Sequence, residues 1–163
     1  MPLPIGTQAP DFTLPTKTAD GTRPVTLSEN FGKSHTLLLF VPMAFTNTCT
    51  QEMCSVSQSL ERFSSLNATV YGISGDNPYA QEAWAQKEGI SFPLLSDYEH
   101  FIARLYDVVY DSFLPQLGLG MGGVPKRAAF IIDKSGEIQH AESNDDARVL
   151  PDLDAIVARL AAL

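Results

Sequence analysis

At 163 residues the chain has the length of one ordinary domain, enough to bury about 70% of its unfolded surface without staples. An apolar share of 44% and a charged share of 18% are globular values and exclude a wholly disordered chain. Eleven basic against nineteen acidic residues leave a net charge of −8, which repels duplexes and anionic bilayers and excludes nucleic acid and membrane as expected partners.

The opening Met1–Gly6 has neither the basic region nor the apolar core of a secretion signal. The longest apolar run, Leu37 to Phe45, is nine residues with Pro42 inside it, about half of a membrane span. Without a repeat, low-complexity tract or linker, the expectation is one cytoplasmic domain over residues 1–163.

The elements follow in chain order. Ala9 to Leu14 alternates as a short edge strand, Asp20-Gly21 is a turn signal, and Pro24 to Leu27 returns as a partner. Thr36 to Val41 is a buried strand ended by Pro42. Gln51 to Phe63 reads as a helix, with Met53, Val56, Leu60 and Phe63 at helical spacing. Thr69 to Ser74 is a second buried strand, Gly75 to Pro78 a turn, and Tyr79 to Lys87 a helix stopped by Gly89.

A short strand at Phe92 to Leu95 and a short helix at Glu99 to Tyr106 come next. Ala128 to Ile132 and Glu137 to Ala141 flank the hairpin turn Asp133-Lys134-Ser135-Gly136. Asp152 to Leu163 carries an apolar helical stripe of Leu153, Ile156, Val157 and Leu160. Helices interleaved with strands early and a hairpin late predict an α/β fold, a central mixed sheet flanked by helices.

Cys49 and Cys54 are the only cysteines. A secreted disulfide scaffold carries more, and in a reducing compartment two close thiols are apolar packing, metal ligands or redox groups. Cys49 follows a strand ended by Pro42 and a short loop, where a helix begins. A sulfur in a helix's first turn meets unpaired N–H groups and the positive end of the helix dipole, which favour the nucleophilic thiolate. Thr46, three residues earlier, can point its hydroxyl at the same volume, accepting from a hydroperoxide and donating to the sulfur, while Pro42 covers it with apolar bulk.

Pro42, Thr46 and Cys49 match the Pro-x-x-x-Thr-x-x-Cys motif of the peroxiredoxins, the AhpC/TSA family, and the chain resembles that family over most of its length. Ala9 to Leu14 looks like the family's opening β-hairpin, Phe92 to Asp97 like its mid-domain segment, and Lys126 to Asp133 like the strand carrying its active-site arginine, here Arg127. Glu52 stands where an acidic residue often steadies that arginine. The resemblance implies a thioredoxin-like fold and a thiol peroxidase acting on hydroperoxides with Cys49 as peroxidatic sulfur, Arg127 and Thr46 around it, and no metal, flavin or haem.

The spacing of Cys54 is similar to the peroxiredoxin Q (bacterioferritin comigratory protein) branch, where the second cysteine resolves the sulfenic acid as an internal disulfide. Other segments resemble alkyl hydroperoxide reductase E, whose members often lack it. The resemblance therefore implies a thioredoxin-like reductant, or a small external thiol in a one-cysteine cycle, and a monomer or homodimer. A non-enzymatic redox sensor or chaperone is the alternative from another class. On an intact helix, positions five apart have Cα atoms about 8.7 Å apart, beyond the roughly 6.8 Å a disulfide tolerates. Bridging Cys49 and Cys54 therefore requires the helix start to unwind.

Simpler readings accompany the other candidates. His35, His100 and His140 are scattered without ligand spacing and read as surface or loop residues. Gly118 to Gly123 lacks the strand–helix context of a nucleotide loop and reads as a loop before the Arg127 strand. Trp84 reads as helix packing, and Glu142, Asp145 and Asp146 as a solvated turn.

Overall fold

The structure, a computed structural model, describes residues 1–163. Strands β1 (Thr13–Thr18) and β2 (Gly21–Thr26) form an antiparallel hairpin of their own. Pro15 faces Pro24 across it, a pairing that only a small edge ladder accommodates because neither residue has an N–H to give. The hairpin lies further along than Ala9 to Leu14. The segment before it docks elsewhere: Gly6 and Ala9 donate their N–H groups to the Ile138 and Gly136 carbonyls.

The main sheet has five strands in the order β5-β4-β3-β6-β7. Central β3 (His35–Phe40) pairs in parallel with β4 (Ala68–Ser74), which pairs in parallel with β5 (Leu94–Ser96). On its other side β3 runs antiparallel to β6 (Arg127–Ile132), and β6 to β7 (Ile138–Asn144), across the expected Asp133–Gly136 turn. All six residues of β3 are buried because the sheet is covered on both faces, which is why the strand is apolar without alternation from Leu37 to Phe40.

Leu37, Leu39 and Val41 face one core, shared with α1 (Asn47–Gln58), α2 (Leu60–Ser64), α3 (Pro78–Glu88) and α5 (Leu153–Ala161). Leu38 and Phe40 face the other, shared with the hairpin and α4 (Phe101–Leu105). Phe40, Tyr106 and Phe130 cluster there, with ring centroids 5.2 to 5.9 Å apart. No helix is long and apolar enough to cross a membrane.

Two expectations change in this frame. The helix expected over Gln51 to Phe63 is two: α1 begins earlier, and the chain breaks at Ser59 (φ −109, ψ 14) before α2. Serines at 55, 57 and 59 crowd that end, and serine side chains compete with helical backbone bonding. The histidines are less superficial than expected. His35 is buried at the start of β3 and half-buried His140 sits in β7, whereas His100 holds the left-handed position before α4.

Candidate active site

The site assembles where β3 ends. Phe40 pairs with Ala128, so Val41, just past the end of β3, and Arg127, the first residue of β6, lie at the same end of the sheet. Buried Pro42 terminates β3, and five residues on from it α1 starts at Asn47. Cys49 is the third residue of α1 and only 1% exposed. Its place in the first turn surrounds it with the backbone N–H groups that have no helical partner.

Arg127, the first residue of β6 and 3% exposed, spreads its guanidinium over three partners. Nη2 donates to Cys49 Sγ at 3.3 Å, Nη1 to Glu52 Oε2 at 2.6 Å, and Nε to the Ala147 carbonyl at 2.9 Å. Burial works to lower its pKa, but Cys49 and Glu52 outweigh that and raise it. The group stays charged.

Glu52 lies almost one turn after Cys49, 1% exposed. Only one of its oxygens is paired; Oε1 is buried without a partner. Burial pushes its pKa up from 4.5 to about 7, against the pull of Arg127 and with a further push from Glu142. That makes Glu142 part of the surroundings of the site. It lies half-buried in β7, near His140, instead of in a solvated turn. Asp145 and Asp146 do lie beyond the strand and pair with Lys126 and Arg148.

Thr46 takes the position before α1 with extended backbone, but its hydroxyl does not cap the helix. It donates to the Met43 carbonyl at 2.7 Å. The expected donation to the Cys49 sulfur is therefore corrected: the proton is committed, and the oxygen's lone pairs remain. Trp84 is fully buried as expected and also ties α3 to α1, its Nε1 donating to Thr50 Oγ1 at 3.0 Å.

Cys54 faces away from this cluster. Its half-buried thiol donates to the Glu88 carbonyl at the end of α3, at 3.5 Å. It lines a concavity of about 260 Å³ with Ser57, Glu88 and Gly89 among its walls. Both cysteines are free thiols on an intact α1.

The loop from Tyr110 to Val124 is pinned by bridges from Val109 to Pro125 and from Phe113 to Met121. It carries Tyr110 to the site, with its hydroxyl on the Asp145 carbonyl at 3.0 Å. Burial raises the tyrosine pKa; Arg127 opposes this, and Asp145, Asp146 and Cys49 add to it. Sequence reasoning missed Tyr110 and Ala147. Ala147 contributes only a carbonyl, which no side-chain pattern signals.

The AhpC/TSA family model matches residues 5–141. The chain belongs to this family, the peroxiredoxins. Both branches named above occur among its relatives. Alkyl hydroperoxide reductase E of Mycobacterium tuberculosis is 32% identical over 149 residues, covering 90% of each chain. A chloroplastic peroxiredoxin Q of Gentiana triflora is 36% identical over 139 residues, covering 85% of this chain and 58% of that one. Among solved structures, the peroxidoxin BcpB of Mycobacterium tuberculosis superposes with a TM-score of 0.80 at 30% identity, over 98% of this peroxiredoxin and 97% of that chain.

Proposed function

We propose that this peroxiredoxin, working as one domain over residues 1–163, reduces hydrogen peroxide and organic hydroperoxides with Cys49 as the attacking sulfur. The observation that carries the reading is the buried guanidinium of Arg127, 3.3 Å from Cys49 Sγ at a helix start. The Cys49 thiolate attacks the terminal peroxide oxygen. An S–O bond forms, the O–O bond breaks, and sulfur gives up two electrons to become sulfenic acid. The departing oxyanion takes a proton from solvent and leaves as water or alcohol. Arg127 and the N–H groups of the α1 start are fixed donors where that charge develops. Thr46, its proton already given to Met43, accepts from the hydroperoxide O–H, and Pro42 covers the sulfur.

In the second half-cycle Cys54 attacks the sulfenic sulfur. A disulfide forms, the hydroxyl leaves as water, and a thioredoxin-like dithiol returns both sulfurs to thiols. Cys54 must first leave the Glu88 carbonyl, and the first turns of α1 must unwind. That obstacle favours a second reading, in which a small external thiol takes the sulfenic acid directly. A redox sensor or chaperone oxidises in the same way without turning over. The cytoplasm, where such thiols are kept reduced, and a monomer or homodimer complete the proposal.

Intact mass after one equivalent of hydrogen peroxide tests it. The wild type loses about 2 Da and Cys54→Ser gains about 16 Da. A wild type that only gains oxygen removes the resolving role, and an unreacted one removes the peroxidase. Sustained turnover with a thioredoxin system excludes the sensor.

A further inference from the structure

Two hydrogen bonds in the loop before α1 land on opposite ends of one peptide unit. Thr46 Oγ1 donates to the Met43 carbonyl at 2.7 Å, and the Ala44 N–H donates to Asp76 Oδ2 at 2.8 Å. The Met43 carbonyl and the Ala44 N–H belong to the same planar amide. Asp76 thus grips one edge of a rigid plate whose other edge holds the threonine proton.

We infer that Asp76 is a positioning residue for peroxide reduction: by fixing the Met43–Ala44 amide it commits the Thr46 proton to Met43 and leaves the hydroxyl oxygen as the acceptor for the hydroperoxide. The inference rests on the function proposed above and adds a residue from outside the motif.

The grip is well anchored. Asp76 lies in the turn between β4 and α3, and Ser74 Oγ donates to the same Oδ2 at 2.7 Å. Gln81 Nε2 donates to Ser74 Oγ and to the Leu95 carbonyl, each at 2.9 Å. Ser96 Oγ donates to the Asp76 carbonyl at 2.6 Å. Ser74, Gln81 and Ser96 are each 2% exposed. Three elements, β4, α3 and β5, therefore hold a carboxylate whose only bond into the active-site loop is to Ala44.

The loop needs such a hold. Phe45, the residue after Ala44, has φ +65, a left-handed conformation that a bulky side chain keeps only where its surroundings impose it. Without the Asp76 acceptor the amide plate can turn, taking the Met43 carbonyl from Thr46. The hydroxyl is then free to donate to the sulfur, and the hydroperoxide proton loses its acceptor.

Five reduced proteins test this: wild type, Asp76→Ala, Asp76→Asn, Thr46→Val and the Asp76→Ala/Thr46→Val double variant. Rapid-quench mass spectrometry follows oxidation of Cys49 by hydrogen peroxide, and a parallel series follows its alkylation by iodoacetamide, which needs no Thr46 acceptor. Asp76→Ala is expected to slow oxidation about ten- to a hundredfold, the scale of a misplaced reacting group, while alkylation stays within about twofold. Asp76→Asn can set its Oδ1 where Oδ2 stands and accept both bonds, so it keeps oxidation within about threefold of wild type. Because Asp76 acts through Thr46, the double variant should match Thr46→Val within about twofold.

Equal slowing of both chemistries by Asp76→Ala, or a loss that adds to that of Thr46→Val, overturns the inference. A wild type that does not oxidise overturns the peroxidase reading itself, whereas a wild type that oxidises beside an unchanged Asp76→Ala overturns only the role of Asp76. Should Asp76→Ala not fold, amide exchange by NMR decides in the wild type. The Ala44 N–H is expected to be protected, and exchange at the rate of an unbonded loop amide refutes the clamp.

Discussion

Replacing Glu52 by Gln removes a carboxylate that is 1% exposed and has an unpaired oxygen. Burial raises its pKa from 4.5 to about 7, so the folded protein binds this proton more tightly than the unfolded chain does. The stability tied to that proton is fully present below about pH 4.5 and is lost as pH rises through about 7. At about 1.4 kcal/mol for each tenfold of proton affinity, the loss comes to about 3 kcal/mol between pH 4.5 and 8. Urea unfolding of the reduced wild type and Glu52→Gln at pH 4.5, 6 and 8 measures it. The difference between the two proteins isolates Glu52, because the rest of the titration is common to both. The variant's stability relative to wild type should rise by about 3 kcal/mol over that range. Parallel pH profiles would show that Arg127 alone compensates the carboxylate, and the reasoning fails.

Arg127→Lys replaces a three-way guanidinium by a point charge that cannot reach Cys49, Glu52 and Ala147 together. Oxidation of Cys49 by hydrogen peroxide should slow about 100- to 1,000-fold, the usual cost of losing a preorganised donor; a rate within tenfold of wild type in quenched flow would refute that role. Gly72→Ala puts a Cβ 2.7 Å from Leu94 Cδ2, 3.2 Å from Met53 Sδ and 3.3 Å from Phe92 Cε2. Overpacking of this kind costs about 1–3 kcal/mol, read from the urea midpoint, and an unmoved midpoint contradicts the crowding.

The strands β3 and β4 were legible because burial on both faces gives short segments dominated by apolar and β-branched residues, without polar alternation. The Asp133–Gly136 hairpin was legible because its turn chemistry is local: Asp133 Oδ1 accepts from the Ser135 and Glu137 N–H groups. The opening hairpin slipped along the chain because Ala9 spends its N–H on Gly136, a partner far away in sequence. Cys49 announced itself through its motif and its helix start. Arg127 was reached only through the family resemblance, since nothing local marks an arginine 78 positions from the sulfur it touches. Asp76 was hidden for the opposite reason. Its neighbour Asn77 caps α3 by accepting from Ala80, so the segment reads as a fully explained turn. Glu142 misled because an acidic residue close to Asp145 and Asp146 looks solvated until strand β7 is seen to run through it.

The pairing of β3 with β6 also sets when the sulfur can become dangerous to itself. A ribosome releases Cys49 well before Arg127, and the guanidinium reaches the sulfur only after the antiparallel ladder has closed over a long intervening stretch of chain. Until then the cysteine has no cation upon it and no sheet around it. Newly made or unfolded copies therefore meet oxidants without the guanidinium proposed to speed the reaction, and fast oxidation of the sulfur waits for the closed sheet.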